Sequence, residues 1–447
     1  MRLAALLLFA SVAALTSPSS AKHATLVSSE PAANSRLPAS PTRIRLVYSE
    51  PVEGKLAKVS VLPSAGTRIV LRAGADPRDV HAVIAPVDSL APGTYKVEWR
   101  VVSADGHPVD GTFTFAVGDT TLGTQPGPPA QPSPLTPAAP EEQEVWGPAA
   151  FGAPIIPAVL RGAGAGALMA AAGLLLFLTG AKPGAAQTTD TRVRSAITTL
   201  LLAAVVLLGA HLVTWLINTS PDLRWDTEWA ASALGTTVGQ IELARVSLTI
   251  FALWAWWLAR RTRLALTFGM LAIVVSGAVG HSAAIDPVWG VPAKAIHLIA
   301  SAVWLGGLLW LVIRPAGDNL VLFGADTERV SSRALVAVIA VAFTGVVQTR
   351  LFLASWSGLV TSAYGLLVLA KAAGLVALVA FGAYHRQRLM PRVAATLTAA
   401  TGARVLRSSV VREVIVIAVV ILLGGLLAYV PPPSEGGMDM SPKESTS

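Results

Sequence analysis

Cysteine is absent from all 447 residues. Disulfides, zinc knuckles and thiolate metal centres are excluded, so any metal must be held through nitrogen, oxygen or thioether. Methionine is missing between Met1 and Met169, which leaves the N-terminal part without thioethers as well. Charge is scarce: Asp, Glu, Lys and Arg make up 13% of the chain against 53% hydrophobic residues, a balance too apolar for an ordinary soluble protein. Neither a Gly-x-x-x-x-Gly-Lys-Ser/Thr loop nor an Asp-Lys-Thr-Gly signature occurs, so no nucleotide is expected as a partner.

What is present divides the chain into five stretches. Residues 1–22 read as a secretory signal: Arg2 supplies the positive start, Leu3 to Leu15 the apolar core, and Thr16 to Ala21 a small, polar cleavage region. Residues 23–118 carry short alternating runs. Tyr95, Val97, Trp99 and Val101 share one face, as do Phe113, Phe115 and Val117, and turns such as Ala91-Pro92-Gly93 separate the runs. About seven strands in this space predict an all-β, Ig-like sandwich. Residues 119–150 are Pro-rich and end in Glu141, Glu142 and Glu144, the composition of an extended, solvated spacer. Residues 151–430 predict an all-α, polytopic bundle, and 431–447 a short tail.

Apolar windows of about 20 residues place roughly eight spans at 154–180, 195–218, 241–259, 264–283, 293–313, 333–354, 361–384 and 411–430. The partner of this surface is a lipid bilayer. With the first span running inward, the inner loops collect fifteen Lys and Arg residues, from Lys182 to Arg412. The outer connections and tail hold Arg224, Lys294, Arg350 and Lys443. This asymmetry predicts a cytoplasmic-membrane protein with both termini extracytoplasmic. It also accounts for the net charge of +8 without a nucleic acid.

The sharpest chemical cluster in the β-region is Ser103-Ala104-Asp105-Gly106-His107-Pro108. A carboxylate and an imidazole two residues apart in a turn can be directed at one metal ion. His23 follows the signal directly. Cleavage after Lys22 would give His23 a free amine, and amine, two imidazoles and carboxylate form a square N₃O set suited to Cu(II). Cleavage after Ala21 would place His23 second and remove that amine. His81 lacks soft neighbours and reads as an ordinary strand histidine.

The motifs His23-Ala24-Thr25-Leu26, Ser29-Glu30-Pro31-Ala32, Tyr48-Ser49-Glu50-Pro51-Val52 and Ser103 through Gly111 resemble the CopC family of periplasmic copper proteins. The membrane part is similar to CopD through Gly280-His281-Ser282-Ala283, His297 through Gly307, Ser362-Ala363-Tyr364-Gly365 with Lys371, and Arg407 through Glu413. The whole resembles CopC–CopD fusions of the YcnJ-like kind. The resemblance implies Cu(II) ligation by His23, Asp105 and His107, with Glu50 behind them. Without a Met-rich loop the domain is expected to hold Cu(II) alone.

Polar side chains inside a membrane are costly and therefore informative. His211, His281 and His297 fall on three spans at similar outer depth and form a candidate copper path. Lys371 lies near mid-bilayer, with Glu242 the acidic candidate nearest in depth, and His385 and Glu413 sit at the inner end. Met438 and Met440 in the tail are candidates for weak copper capture. Trp215, Trp225, Trp229, Trp289 and Trp356 read as an interfacial belt. The expected function is non-enzymatic: copper ions captured outside and passed inward. Tolerance by sequestration or export stays open, as do a histidine-brace oxidase and a sensor or anchor that moves nothing. Oligomeric state is not legible.

Overall fold

The computed structural model describes residues 24–118, 155–180, 190–313, 320–353, 355–391, 399–430 and 432. The signal and spacer segments, His23, and the tail methionines Met438 and Met440 lie outside the described residues.

The β-domain contains nine strands: β1 (Leu26–Glu30), β2 (Arg36–Leu37), β3 (Arg43–Tyr48), β4 (Lys58–Pro63), β5 (Ile69–Leu71), β6 (Gly74–Asp76), β7 (Asp79–Pro86), β8 (Gly93–Val102) and β9 (Pro108–Val117). They form two sheets, ordered β1-β3-β7-β6 and β2-β9-β8-β4-β5. Nine strands exceed the expected seven because β2, β5 and β6 have only two or three residues, too short for alternation to reveal. The long strands follow the pattern. Ile44, Leu46 and Tyr48 of β3 face Tyr95, Val97, Trp99 and Val101 of β8 across one buried core. The register pairs Tyr95 with Phe115 and Val97 with Phe113, so each aromatic meets an apolar partner across the strands. Arg45 bridges Asp76 and Asp79 at 2.8 Å each, tying β3 to the β6–β7 turn.

The helices are α1 (Ile155–Thr179), α2 (Asp190–Thr219), α3 (Thr227–Leu234), α4 (Thr237–Trp257), α5 (Thr262–Ser276), α6 (His281–Ala284), α7 (Pro287–Ile313), α8 (Leu320–Phe352), α9 (Gly358–Thr361), α10 (Ala363–Tyr384) and α11 (Ala399–Leu427). Seven of these are long and apolar enough to cross a membrane, where eight spans were expected. The fourth expected span, 264–283, ends at Ser276 after 15 residues. Gly280, at φ 84°, leaves the helical region there, and α6 begins afresh at His281. His281 therefore opens a short helix of its own rather than closing a span.

α1 is the centre of the bundle, packed against α2, α5, α7 and α11. Of its most apolar stretch 61% is buried, against 17% in α8 and α10. The outward face of α8 presents Val336, Ile339, Phe343 and Val346, all at least 60% exposed. A stripe of this kind is stable against lipid rather than water. The Gly162-Ala163-Gly164-Ala165-Gly166 run of α1 is a packing seam, as its small residues require: Gly162 meets the backbone of α11 and Gly164 meets Leu208 of α2. Further along, a Cβ on Gly173 would overlap the backbone of Ala302 and Gly306 in α7. Gly173→Val is therefore expected to force α1 and α7 apart. The overpacking should destabilise the bundle by about 1–3 kcal/mol, read as earlier unfolding in detergent by circular dichroism.

Candidate metal centre

Asp105 and His107 stand on the turn between β8 and β9, and hydrogen bonds fix that turn on every side. Ser103 N donates to His107 O at 2.9 Å, Gly106 N to Ser103 O at 2.8 Å, and Ala104 N to Pro51 O at 2.8 Å. His107 N donates to Asp105 Oδ1 at 3.2 Å, and the Ser103 hydroxyl donates to the same oxygen. The bond to Pro51 brings the Glu50–Pro51 loop beside the turn. Gly106 has φ 94°, a left-handed conformation that favours glycine.

This turn is pressed into one end of the helix bundle. Trp215 Nε1 of α2 donates to Gly106 O at 2.8 Å, and Val238 of α4 lies 3.2 Å from where a Gly106 Cβ would be. Leu56 and Val102 of the β-domain join a buried apolar cluster with Leu212, Trp215, Trp229 and Val238. Polar contacts surround that plug: Arg100 donates to Asn218 O at 3.2 Å, Lys55 to Gly235 O at 3.3 Å, and Val238 N to Glu53 Oε1 at 3.4 Å. Burial at this seam raises the pKa of the Glu53 carboxyl, opposed by the amide hydrogen bonds it accepts at the start of α4. Trp215 and Trp229 are thus 7% and 8% exposed, seam residues rather than belt residues, whereas Trp225, Trp289 and Trp356 are more than half exposed.

The docked turn meets His281. Asp105 is fully buried, with His107 Nδ1 at 3.1 Å from Oδ1 and His281 Nδ1 at 3.2 Å from Oδ2. His281 Nε2 donates to Val430 O at 3.2 Å, because a carbonyl can only accept. In its neutral form His281 therefore turns the Nδ1 lone pair toward a carboxylate. Two acceptors so close call for a positive charge, supplied either by a proton on the ring or by a metal ion. Bonds of about 2 Å to a first-row dication hold neighbouring ligand atoms about 3 Å apart, the spacing observed. Among the described residues no three His, Asp or Glu side chains enclose a metal-sized gap; Asp105, His107 and His281 touch pairwise through the one carboxylate.

Behind this contact lies a buried polar layer. His211 Nε2 is 2.8 Å from Tyr429 Oη, and the Tyr429 ring meets the His107 ring edge-on at 4.9 Å between centroids. Arg245 Nη2 donates to His211 Nδ1 at 3.2 Å and also to Glu242. The Glu242 carboxylate faces the same His211 Nδ1 at 3.6 Å, so the Glu242–Arg245 pair holds one edge of the ring and Tyr429 the other. Both His211 nitrogens are thereby engaged, which makes it a positioning residue rather than a ready ligand. Glu242, expected near Lys371, pairs instead with Arg245 one turn away on α4. Among the described residues no carboxylate lies within ion-pair distance of Lys371, whose Nζ approaches Gly424 of α11. His297 is also apart from the site: its Nδ1 is 3.0 Å from Thr344 Oγ1, linking α7 to α8. His385 and Glu413 do meet, at 3.3 Å, at the other end of the bundle.

Comparison with known proteins agrees with this division. Residues 26–118 match the CopC domain, and residues 325–427 match Copper resistance protein D (CopD). The chain belongs to the CopC family through its β-domain and carries a CopD domain behind it. It is 26% identical over 392 residues to Copper transport protein CutJ of Bacillus subtilis, an alignment covering 81% of this chain and 67% of that protein. Its CopC domain is 36% identical over 104 residues to Copper resistance protein C of Pseudomonas syringae, covering 21% of this chain and 80% of that protein. The solved CopC of Methylosinus trichosporium OB3b is 31% identical and covers 22% of this chain and 99% of that structure, at a TM-score of 0.21. With seven helices among the described residues long and apolar enough to cross a membrane and the CopD match, the chain is a multi-pass membrane protein. His281 lies outside the CopD match, whereas His385 and Glu413 lie inside it.

Sequence reasoning missed Tyr429, Arg245 and Arg161. Arg161 is 91% buried in α1, and its guanidinium comes within 3.3 Å of the Cβ position of Gly280. A charged residue within an apolar span was the available signal for both arginines. Tyr429, near the end of the last span, had none.

Proposed function

We propose that the protein carries copper inward across the cytoplasmic membrane: the CopC domain captures Cu(II), and the bundle receives it at His281. The observation that carries this reading is the buried Asp105 carboxylate, shared between His107 of the capturing turn and His281 of the bundle. A ligand common to both halves lets an ion change hands without returning to water, where it would regain the hydration that a low-dielectric path must replace. His23 completes the set on the CopC side with its ring and, after cleavage behind Lys22, its amine. Nitrogen and oxygen donors without sulfur suit Cu(II). The Lys and Arg asymmetry of the loops supports an extracytoplasmic position for the docked domain, and the copper transport named for CutJ supports movement of copper rather than its sequestration.

Copper content of cells lacking and expressing the protein, at limiting copper, tests the direction. Expression should raise cell copper. Lower copper in expressing cells would keep the path and reverse it, giving tolerance. Asp105→Ala and His107→Ala should each remove the tetragonal nitrogen/oxygen signal in electron paramagnetic resonance of the full chain and leave the β-sheet circular dichroism intact. Copper-dependent turnover of oxygen on a defined substrate would favour an oxidase instead.

A further inference from the structure

The His385–Glu413 pair stands far from the docked turn. Glu413 and the helix end at Leu427, two residues before Tyr429, are 14 residues apart on α11, which is about 21 Å at 1.5 Å per residue. His385 opens a five-residue π-helical turn, His385–Leu389, at the end of α10; such turns recur at functional sites. Its Nε2 is 2.8 Å from Ser409 Oγ and its Nδ1 is 3.3 Å from Glu413 Oε2. Trp304 Nε1 of α7 donates to Glu413 Oε1 at 3.2 Å. Glu413 is 2% exposed and His385 8%. Two separate elements, the π turn and α7, thus converge on one buried carboxylate of α11.

The donor set decides what the pair can bind. An indole N–H has no lone pair for a metal, so the pair offers one imidazole and one carboxylate. That leaves too few ligands for copper. The pair is complete for a proton: one proton makes it neutral overall, whether as imidazole with carboxylic acid or as imidazolium with carboxylate, and neutrality is the state least costly to bury. The charged and titratable side chains on the elements packed against α11 are Arg161 on α1, Lys294 and His297 on α7, Tyr364, Lys371 and Tyr384 on α10, and Arg386 and Arg388 in the π turn; Arg404, Arg407 and Arg412 belong to α11 itself. Lys371 is 14 residues from His385, about 21 Å along α10. The arginines keep their charge at all working pH values. Within the contact, only His385 and Glu413 can exchange a proton.

We infer that His385 and Glu413 form a proton-binding site at the inner end of the bundle, and that its proton is released and regained as copper passes, coupling the two movements. The coupling rests on the transport reading above; the proton site does not. No bond other than that to the proton is made or broken.

Infrared difference spectra of the purified full chain, titrated with pH, test the site itself. A titrating carboxyl band is expected in the wild type, lost in Glu413→Gln and shifted in Ser409→Ala; the second variant serves if the first fails to insert. Copper uptake into liposomes holding the full chain, with and without an imposed pH gradient, tests the coupling. For one proton per ion, each pH unit should change the copper accumulation ratio by up to about tenfold, and Glu413→Gln should abolish that dependence while keeping the outer Cu(II) resonance signal. A band unaffected by Glu413→Gln would overturn the site. A gradient dependence that survives Glu413→Gln would overturn the coupling, and copper absorption spectra placing metal at His385 would make it a metal site. Wild-type liposomes that take up no copper, but retain the titrating band, would sink the transport reading and the coupling alone.

Discussion

His281→Ala is expected to lower copper accumulation by about 10–100-fold, the range typical of losing a group that orients or supports a metal ligand. The imidazole Nδ1 lies 3.2 Å from Asp105 Oδ2, and the other ring nitrogen is anchored on Val430 O. Alanine removes both contacts and leaves the turn hydrogen bonds of Ser103, Gly106 and His107 in place, since those lie wholly within the CopC domain. Cu(II) bound to the outer domain should therefore persist in the full chain, with altered resonance parameters, while transfer stops. Membrane insertion, followed by the amount of protein in the membrane fraction, should be unchanged. Normal copper accumulation in this variant would mean that the bundle is an anchor, and that capture by Asp105 and His107 is the whole of the activity. The comparison separates a path from a tether because the two readings assign opposite fates to the same ion.

The parts legible in the sequence were those set by local chemistry. Alternation in β8 and β9 gave a sandwich core, and the Asp105-Gly106-His107 turn stood out because its residues are adjacent in the chain. Span positions followed from apolar windows, but the helix ends did not. α8 starts at Leu320 rather than near 333, because its first turns carry Asp326, Glu328 and Arg329 and hydropathy registers only the part that sits in lipid. Long-range pairing was illegible for the same reason throughout. Nothing local in Trp215 distinguishes a belt residue from one whose indole holds Gly106, whereas the Glu242–Arg245 pair was within reach of the sequence as opposite charges three residues apart in an apolar span. Depth along a helix can be read from residue numbers; the direction a side chain faces requires the neighbouring helices.

The largest structural effect is expected from Glu242→Ala. Glu242 and Arg245 are each buried to 2–3% side-chain exposure, inside a bundle where an unpaired guanidinium has no water to turn to. Breaking one partner of such a pair destabilises by about 3–5 kcal/mol, because the remaining charge is left uncompensated. The loss should appear as poor yield and an early thermal transition in detergent. Replacing both residues by apolar ones of similar size, Glu242→Leu with Arg245→Met, should restore folding, since an ion pair exchanged for packed side chains is often neutral or stabilising. Function should not return with it. Without Arg245 and Glu242, His211 Nδ1 loses both groups that face it, and the Nε2 contact with Tyr429, whose ring lies against His107, is no longer enforced. The double variant is thus expected to insert normally, bind Cu(II) at the outer turn and accumulate little copper. Wild-type accumulation in a well-folded double variant would reduce the Glu242–Arg245–His211–Tyr429 layer to structural support and leave His281 to receive the ion alone.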